Sequence, residues 1–226
     1  MKIIEPSAIM ITPGTKLDGK ICLQVIENFA RISHRSEDKQ TEDSWRRFIQ
    51  AVVIEHGDWS VAEHASASVI FRVDRGVTHE LVRHRLFSFT QESTRFVNGR
   101  KSYPNGLEFI YPANLPSLSL SDLGPQYDWY GVMQRAEEAY LTLLDKGVRP
   151  QEARSVLPNA LAATIAMTGN LRSWRWFFLA RTTKESHPDM RRVTVPLLAE
   201  FKARVPILFD DIEPDARQID NARKAH

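Results

Sequence analysis

Ala65-Ser66-Ala67-Ser68-Val69-Ile70-Phe71-Arg72-Val73-Asp74 sets Ala65, Ala67, Val69, Phe71 and Val73 against Ser66, Ser68, Arg72 and Asp74. A period of two puts each set on one face of an extended chain, so this stretch is expected to be a half-buried strand. A helix is expected next, from about Gly76 to Leu86, and then a polar stretch from Ser88 to Arg95. Working outward, helical patterns surround a few extended ones without regular strand–helix alternation. That pattern predicts an α+β fold, a small sheet enclosed by helices.

Toward the N-terminus, Ile3-Ile4 and Ala8-Ile9-Met10-Ile11 read as a short strand pair closed by Pro13-Gly14. Ile21, Val25, Ile26 and Phe29 mark a helix over 18–33. Beyond the polar turn Ser36 to Gln40, Trp45, Phe48, Ile49, Val52 and Val53 mark another, which stops at Gly57. Toward the C-terminus, Phe96 and Val97 resume an extended pattern, Leu107 to Tyr111 reads as a strand, and 114–124 as a loop. A long helix carries Tyr130, Met133, Tyr140, Leu141 and Leu144 and ends at Gly147, with Pro150 just beyond. Helices are expected over Gln151–Met167, Leu171–Arg181 and Pro188–Arg204, with Ser186 and Asp189 as a capping box before the last.

With 226 residues, 42% hydrophobic and 26% charged, the chain suits a single domain over 1–226 with a substantial core. A formal net charge of +2 is too small to argue for a nucleic-acid partner. There is no long apolar span and no secretory leader pattern, so a cytoplasmic protein without membrane association is expected. One cysteine, Cys22, excludes an internal disulfide and a cysteine-built metal site. Within Ile21-Cys22-Leu23 it reads as an inert, buried thiol.

The chemistry concentrates in Arg83-His84-Arg85-Leu86-Phe87-Ser88-Phe89-Thr90-Gln91-Glu92-Ser93-Thr94-Arg95. On a helix, Glu80 shares a face with Arg83 and with His84, so guanidinium forks would stand beside a hydroxyl-rich loop. That set suits a phosphate plus a flat, hydrogen-bonding base. A solvated, salt-bridged helix end fits the same residues, and residue chemistry alone leaves both readings open. Two rivals draw on neighbouring residues. A metal-dependent phosphohydrolase would use His56, Asp58, His64, His79 and His84, yet their spacings match no zinc pattern, and no metal site is expected. A single-strand nucleic-acid binder would stack bases on Phe87, Phe89 and Phe96 beside Arg83, Arg85, Arg95, Arg100 and Lys101.

Arg-His-Arg, two residues, Ser, four residues, Ser, one residue, Arg is matched at every defined position by Arg83, His84, Arg85, Ser88, Ser93 and Arg95. In this the chain resembles the flavin-dependent thymidylate synthases. The resemblance extends over roughly Ala30 to His187. Ala30-Arg31-Ile32-Ser33 resembles the family's first helix end. His56-Gly57-Asp58-Trp59-Ser60-Val61-Ala62-Glu63-His64 resembles Gly-His-x-Ser/Thr-x-x-Glu-His, with Asp58 where many members carry a flavin-side histidine. Ala153-Arg154 and Leu157-Pro158 look like the segment supplying a further nucleotide-binding arginine. Asn170-Leu171-Arg172-Ser173 is similar to the family's Asn-x-Arg-Ser, and Arg181 and Ser186-His187 follow.

That resemblance implies methylation of dUMP to dTMP, with 5,10-methylenetetrahydrofolate as carbon donor, NADPH as reductant and FAD as cofactor, and without a protein cysteine nucleophile. Arg181 is implied as the catalytic residue that activates the uracil ring. Implied FAD contacts are Ser33, Ser60, Glu63, Arg83, His84, Arg85, Leu86, Thr90, Gln91, Asn170, Arg172 and His187. Implied dUMP contacts are Glu80, Arg83, Gln91, Glu92, Ser93, Thr94, Arg95, Arg154 and Arg181. No Gly-x-Gly-x-x-Gly occurs, so a Rossmann turn is not expected. The resemblance instead implies a homotetramer with FAD shared between subunits.

Overall fold

The computed structural model describes residues 1–115 and 128–215, so the loop read over 114–124 falls mostly outside the described residues. The chain divides into two compact units, one comprising Met1–Ser7, Arg72–Arg83 and Thr90–Ile165, the other Ala8–Phe71, His84–Phe89 and Ala166–His226. A four-stranded sheet has the order β2 (Ser7–Thr12), β3 (Ser66–Asp74), β6 (Ala162–Asn170), β4 (Ser88–Gln91). β3 and β6 run antiparallel: Leu171 N donates to Ala65 O (2.9 Å) at one end, and Arg75 N to Leu161 O (3.1 Å) at the other. The fold is therefore mixed helix and sheet with a small antiparallel sheet, as the α+β expectation has it.

In the first unit, β1 (Lys2–Ile3) pairs in parallel with β5 (Glu108–Phe109). Helix α5 (Trp129–Asp145) is capped by Asp128, whose carboxylate accepts from Gly131 N at 2.6 Å. It buries Met133 and Tyr140 against Leu107, Phe109, Ala153 and Leu161. The short helix α4 (Gly99–Ser102) lies on the same helix: Gly99 N donates to Tyr140 Oη at 3.2 Å, and a Cβ on Gly99 would stand 2.5 Å from that ring.

The second unit is built on aromatic packing. Helix α7 (Leu171–Arg181) sends Trp174, Phe177 and Phe178 into a core with Phe71, Phe201 and Phe209. Each such ring removes enough apolar area to contribute about 4–6 kcal/mol of transfer free energy. Trp174 also satisfies its indole N–H by donating to Ala67 O at 3.0 Å. Helix α1 (Lys16–Ile32) begins with a Thr15–Asp18 capping box and packs on α8 (Pro188–Arg204). The two backbones approach so closely that a Cβ on Gly19 would sit 1.8 Å from Arg204 O. The helix carrying Trp45 and Phe48 is short (α2, Trp45–Phe48) and continues as a π-helical turn over Ile49–Glu55.

Several expectations need correction. The helix expected over Gln151–Met167 is a single turn, α6 (Pro150–Ala153), followed by strand β6. Alanine suits either state. Burial of Ala163, Ile165, Met167 and Gly169 alternates with the more open Thr164, Ala166 and Thr168, and pairing with β3 decides for the strand. Helix α3 (Arg75–Leu81) stops five residues short of Leu86, because Leu81 is its last buried side chain and Val82 and Arg83 are already exposed. His84 is thus outside the helix, and the Glu80–His84 facing argument fails. Within the supposed polar stretch, Ser88–Gln91 is a strand, while Phe96 and Val97 are held in a turn by bonds to Ser93 O. β1 and β2 do not pair with each other. The cap of α8 is His187, whose Nδ1 accepts from Asp189 N at 3.2 Å; Ser186 Oγ takes no part.

Candidate nucleotide and cofactor sites

The expected nucleotide ligands gather in the first unit, Arg181 excepted. Asp74 caps α3 through Val77 N (2.9 Å), which sets Glu80, half-buried, in its last turn, with the exposed Arg83 just past the end. Thr90 and Gln91 close β4; Thr90 is exposed, and Gln91 Nε2 donates to Thr78 Oγ1 at 3.1 Å. The turn that follows carries Ser93, whose Oγ accepts from Arg95 N (3.3 Å), and Thr94, whose Oγ1 accepts from Arg154 Nη1 (3.2 Å). Arg154 thereby joins the motif from 60 residues downstream. Arg95 points outward with its guanidinium 5.4 Å from the Phe96 ring centroid. Beside Thr94 and Arg154 opens a cleft of about 240 Å³, also lined by Arg75, His79 and Ser155 over Leu157 and Leu161.

Glu92, expected to touch substrate, has its carboxylate committed elsewhere. Its Oε2 accepts from Arg72 Nη1 at 2.7 Å and from Thr164 N at 3.2 Å, and its Oε1 from the Tyr103 hydroxyl. Arg72 also bonds Glu108 (2.7 Å) and Thr164 Oγ1 (2.9 Å). Burial pushes the Glu92 carboxyl up, but the hydrogen bonds from Tyr103, Thr164 and Arg72 outweigh it and hold it below the usual range. Glu92 therefore anchors the turn that presents Ser93, Thr94 and Arg95.

Most expected cofactor ligands belong to the second unit, with Arg83, Thr90 and Gln91 in the first. Arg181, at the end of α7, donates from Nε to His84 Nε2 at 2.9 Å. His84 also meets the Phe177 and Phe87 rings edge-on. Burial, and then the Arg181 charge, lower its pKa to about 4, so its imidazole is neutral and accepts at neutral pH. Asn170 caps α7 through Ser173 N (2.8 Å), and Arg172 pairs with Glu63 at 2.7 Å on the surface. Ser33 donates to Ala30 O (2.8 Å), while Ser60, Arg85 and Leu86 are exposed, Leu86 to 80%. His187 caps α8. The exposed guanidinium, hydroxyl and apolar side chains among these residues are of the types that suit a flavin dinucleotide, which carries a pyrophosphate and a flat ring.

Phe87, a candidate stacking face in the nucleic-acid rival, packs on Trp174 and Phe177 instead. No three His, Cys, Asp or Glu side chains among the described residues group closely enough to hold a metal ion. Cys22 is half-buried, and burial followed by Asp18 raises its thiol pKa, which opposes thiolate formation. No helix among the described residues is long and apolar enough to cross a membrane. Sequence reasoning missed Arg75 and Ser155 in the cleft and the Arg72 network under the turn, and named His79 only as a ligand in the metal-dependent rival. A usable signal existed for Arg75: no acidic residue lies three or four places away to pair with it.

The fold is shared with the crystal structure of the UMP/dUMP methylase PolB from Streptomyces cacaoi bound with 5-Br dUMP. The TM-score is 0.73 at 22% identity, over 93% of this chain and 96% of that one. The chain is 38% identical over 173 residues to the flavin-dependent thymidylate synthase of Corynebacterium efficiens, covering 71% of this chain and 67% of that protein. It is 37% identical over 173 residues to the flavin-dependent thymidylate synthase of Mycobacterium sp. (strain JLS), covering 71% and 68% respectively. Residues 21–207 match the family described as thymidylate synthase complementing protein, and the chain belongs to that family.

Proposed function

We propose that this chain is a flavin-dependent thymidylate synthase that methylates dUMP at C5 to give dTMP, with 5,10-methylenetetrahydrofolate as carbon donor and NADPH as reductant. The observation that carries this reading is the bond from Arg154 to Thr94, which adds a distant guanidinium to the Arg-His-Arg…Ser-x-Arg loop. Ser93, Arg95 and Arg154 would hold the dUMP phosphate, each charge-assisted bond contributing about 1.5–3 kcal/mol. Glu80, Arg83, Gln91 and the backbone of the Glu92–Thr94 turn would complete the nucleotide contacts.

As C5 of uracil becomes nucleophilic, negative charge gathers on N3 and its flanking carbonyls. Arg181 is assigned to stabilise that charge, since a guanidinium stays cationic at any working pH. The neutral His84 supports this assignment, because it orients Arg181 through Nε without neutralising its charge. Bound FAD, reduced by NADPH, would supply the electrons that turn the transferred methylene carbon into a methyl group. Ser33, Ser60, Glu63, Arg83, His84, Arg85, Leu86, Thr90, Gln91, Asn170, Arg172 and His187 are the residues assigned to hold it. Breaking the exposed Glu63–Arg172 pair to reach the cofactor would cost little. No step uses a protein thiolate.

In this reading the two units act as one catalytic domain in the cytoplasm, in a homotetramer with FAD shared between subunits. The stripe Leu17, Ile21 and Ile32 along α1, exposed to 65%, 49% and 54%, supports burial against another copy. An assay for dTMP from dUMP, methylenetetrahydrofolate, FAD and NADPH, with each component omitted in turn, tests the function. Loss of product on every omission is expected, and product without dUMP, folate or flavin would defeat it.

A further inference from the structure

The cleft beside Thr94 brings together two guanidiniums, Arg75 and Arg154, that no carboxylate pairs directly among the described residues. Arg72, Arg172 and Arg175 each bond a carboxylate at 2.7 Å or less, whereas Arg75 and Arg154 bond none among the described residues. Arg75 Nη1 is buried and lacks any hydrogen-bond partner. A buried, unpaired cationic donor costs free energy, and two guanidiniums facing one cavity add mutual repulsion to that cost. Burial, and then the Arg154 charge, lower the Arg75 pKa against the weaker opposing pull of the Glu92 carboxylate. Around the pair stand the hydroxyls of Thr94 and Ser155 and the imidazole of His79. At about 240 Å³ the cleft has room for far more than one water, whose share of liquid volume is about 30 Å³. A dianion with several oxygen acceptors suits this lining of guanidinium and hydroxyl donors.

We propose that Arg75 is a second anion-binding guanidinium of this cleft, which with Arg154 clamps the 5′-monophosphate of the substrate and selects a phosphorylated over an unphosphorylated nucleoside. This rests on the nucleotide reading given above and adds a specificity-determining residue to it. The arrangement has an opposite sign for stability and for function. Without an anion, Arg75 is a liability to the fold; with one, it is a ligand.

The test uses flavin-loaded wild-type protein, Arg75→Met and Arg75→Lys. Thermal unfolding is followed with and without inorganic phosphate, and KM and kcat are measured for dUMP. Arg75→Met is expected to raise KM for dUMP at least about tenfold while kcat changes less than about threefold. Its melting temperature without phosphate should equal or exceed that of the wild type, and the rise that phosphate gives the wild type should disappear. Arg75→Lys should restore part of both effects. An unchanged KM, or a lowered melting temperature with the phosphate response intact, would overturn the proposal and leave Arg75 a structural residue. Should the wild type make no dTMP while phosphate still stabilises it through Arg75, the assigned reaction fails and the anion clamp stands.

Discussion

Arg72→Met probes the anchor under the turn proposed to bind the nucleotide. Arg72 bonds Glu92 and Glu108 at 2.7 Å each and Thr164 at 2.9 Å, with the three charged side chains only 18–22% exposed. Removing the guanidinium leaves Glu92, four-fifths buried, without its cation, and Glu108 with only the longer, exposed contact to Lys2 at 3.5 Å. Breaking a buried pair in this way costs about 3–5 kcal/mol, and the residual exposure argues for the low end, about 3 kcal/mol. For a protein of this size each kcal/mol moves the melting temperature by roughly 2–4 °C, so a fall of about 6–12 °C follows. Glu92→Gln keeps an acceptor for Arg72 and Thr164 N and should cost only about 1 kcal/mol. Calorimetry on both variants and on the double variant gives the coupling between the two sites. KM for dUMP should rise in Arg72→Met, because Glu92 holds the turn carrying Ser93 and Arg95. A melting temperature within about 2 °C of wild type would refute the reasoning.

Other outcomes follow from the same geometry. Arg181→Ala should keep its fold and its flavin absorbance while dTMP formation falls about 10²–10³-fold; near-wild-type turnover would remove Arg181 from its assigned role. His84, at a pKa of about 4, refuses a proton that the unfolded chain accepts near 6.5. Its contribution to stability is therefore fully present above pH ~6.5 and lost as pH falls toward about 4. An NMR titration of the His84 imidazole should show a midpoint near 4 in the wild type, and a midpoint near 6.5 would contradict the bond to Arg181. Cys22→Ala should turn over within about twofold of wild type, and a folded but inactive variant would revive a thiolate mechanism.

Much of the helical fold is legible in the residues. Asn170 and Pro188 start α7 and α8 where the apolar period and end signals put them, and Gly147, at φ +83°, closes the turn after α5. What escaped is what tertiary pairing decides. Ala162–Asn170 is rich in small residues that fit helix or strand, and only the β3 neighbour selects the strand. The end of α3 escaped because Val82 continues an apolar pattern without being buried. At the site, a motif of fixed spacing pointed to the loop, and Arg154 does meet it. Glu92 came from the family resemblance as a nucleotide contact, and its carboxylate bonding to Arg72 was not legible because that partner lies 20 residues away and faces it only through the sheet. Arg75 escaped because a charge near a helix start ordinarily reads as solvated.

The central claim is that these guanidiniums hold a pyrimidine monophosphate for methylation at C5. Following carbon-13 from labelled methylenetetrahydrofolate through the flavin-loaded enzyme with dUMP and NADPH tests it most directly. The label is expected in the C5 methyl group of dTMP, in an amount that dUMP limits and deoxyuridine cannot replace. Flavin-loaded, folded enzyme that consumes NADPH yet delivers no label to the nucleotide would contradict the account.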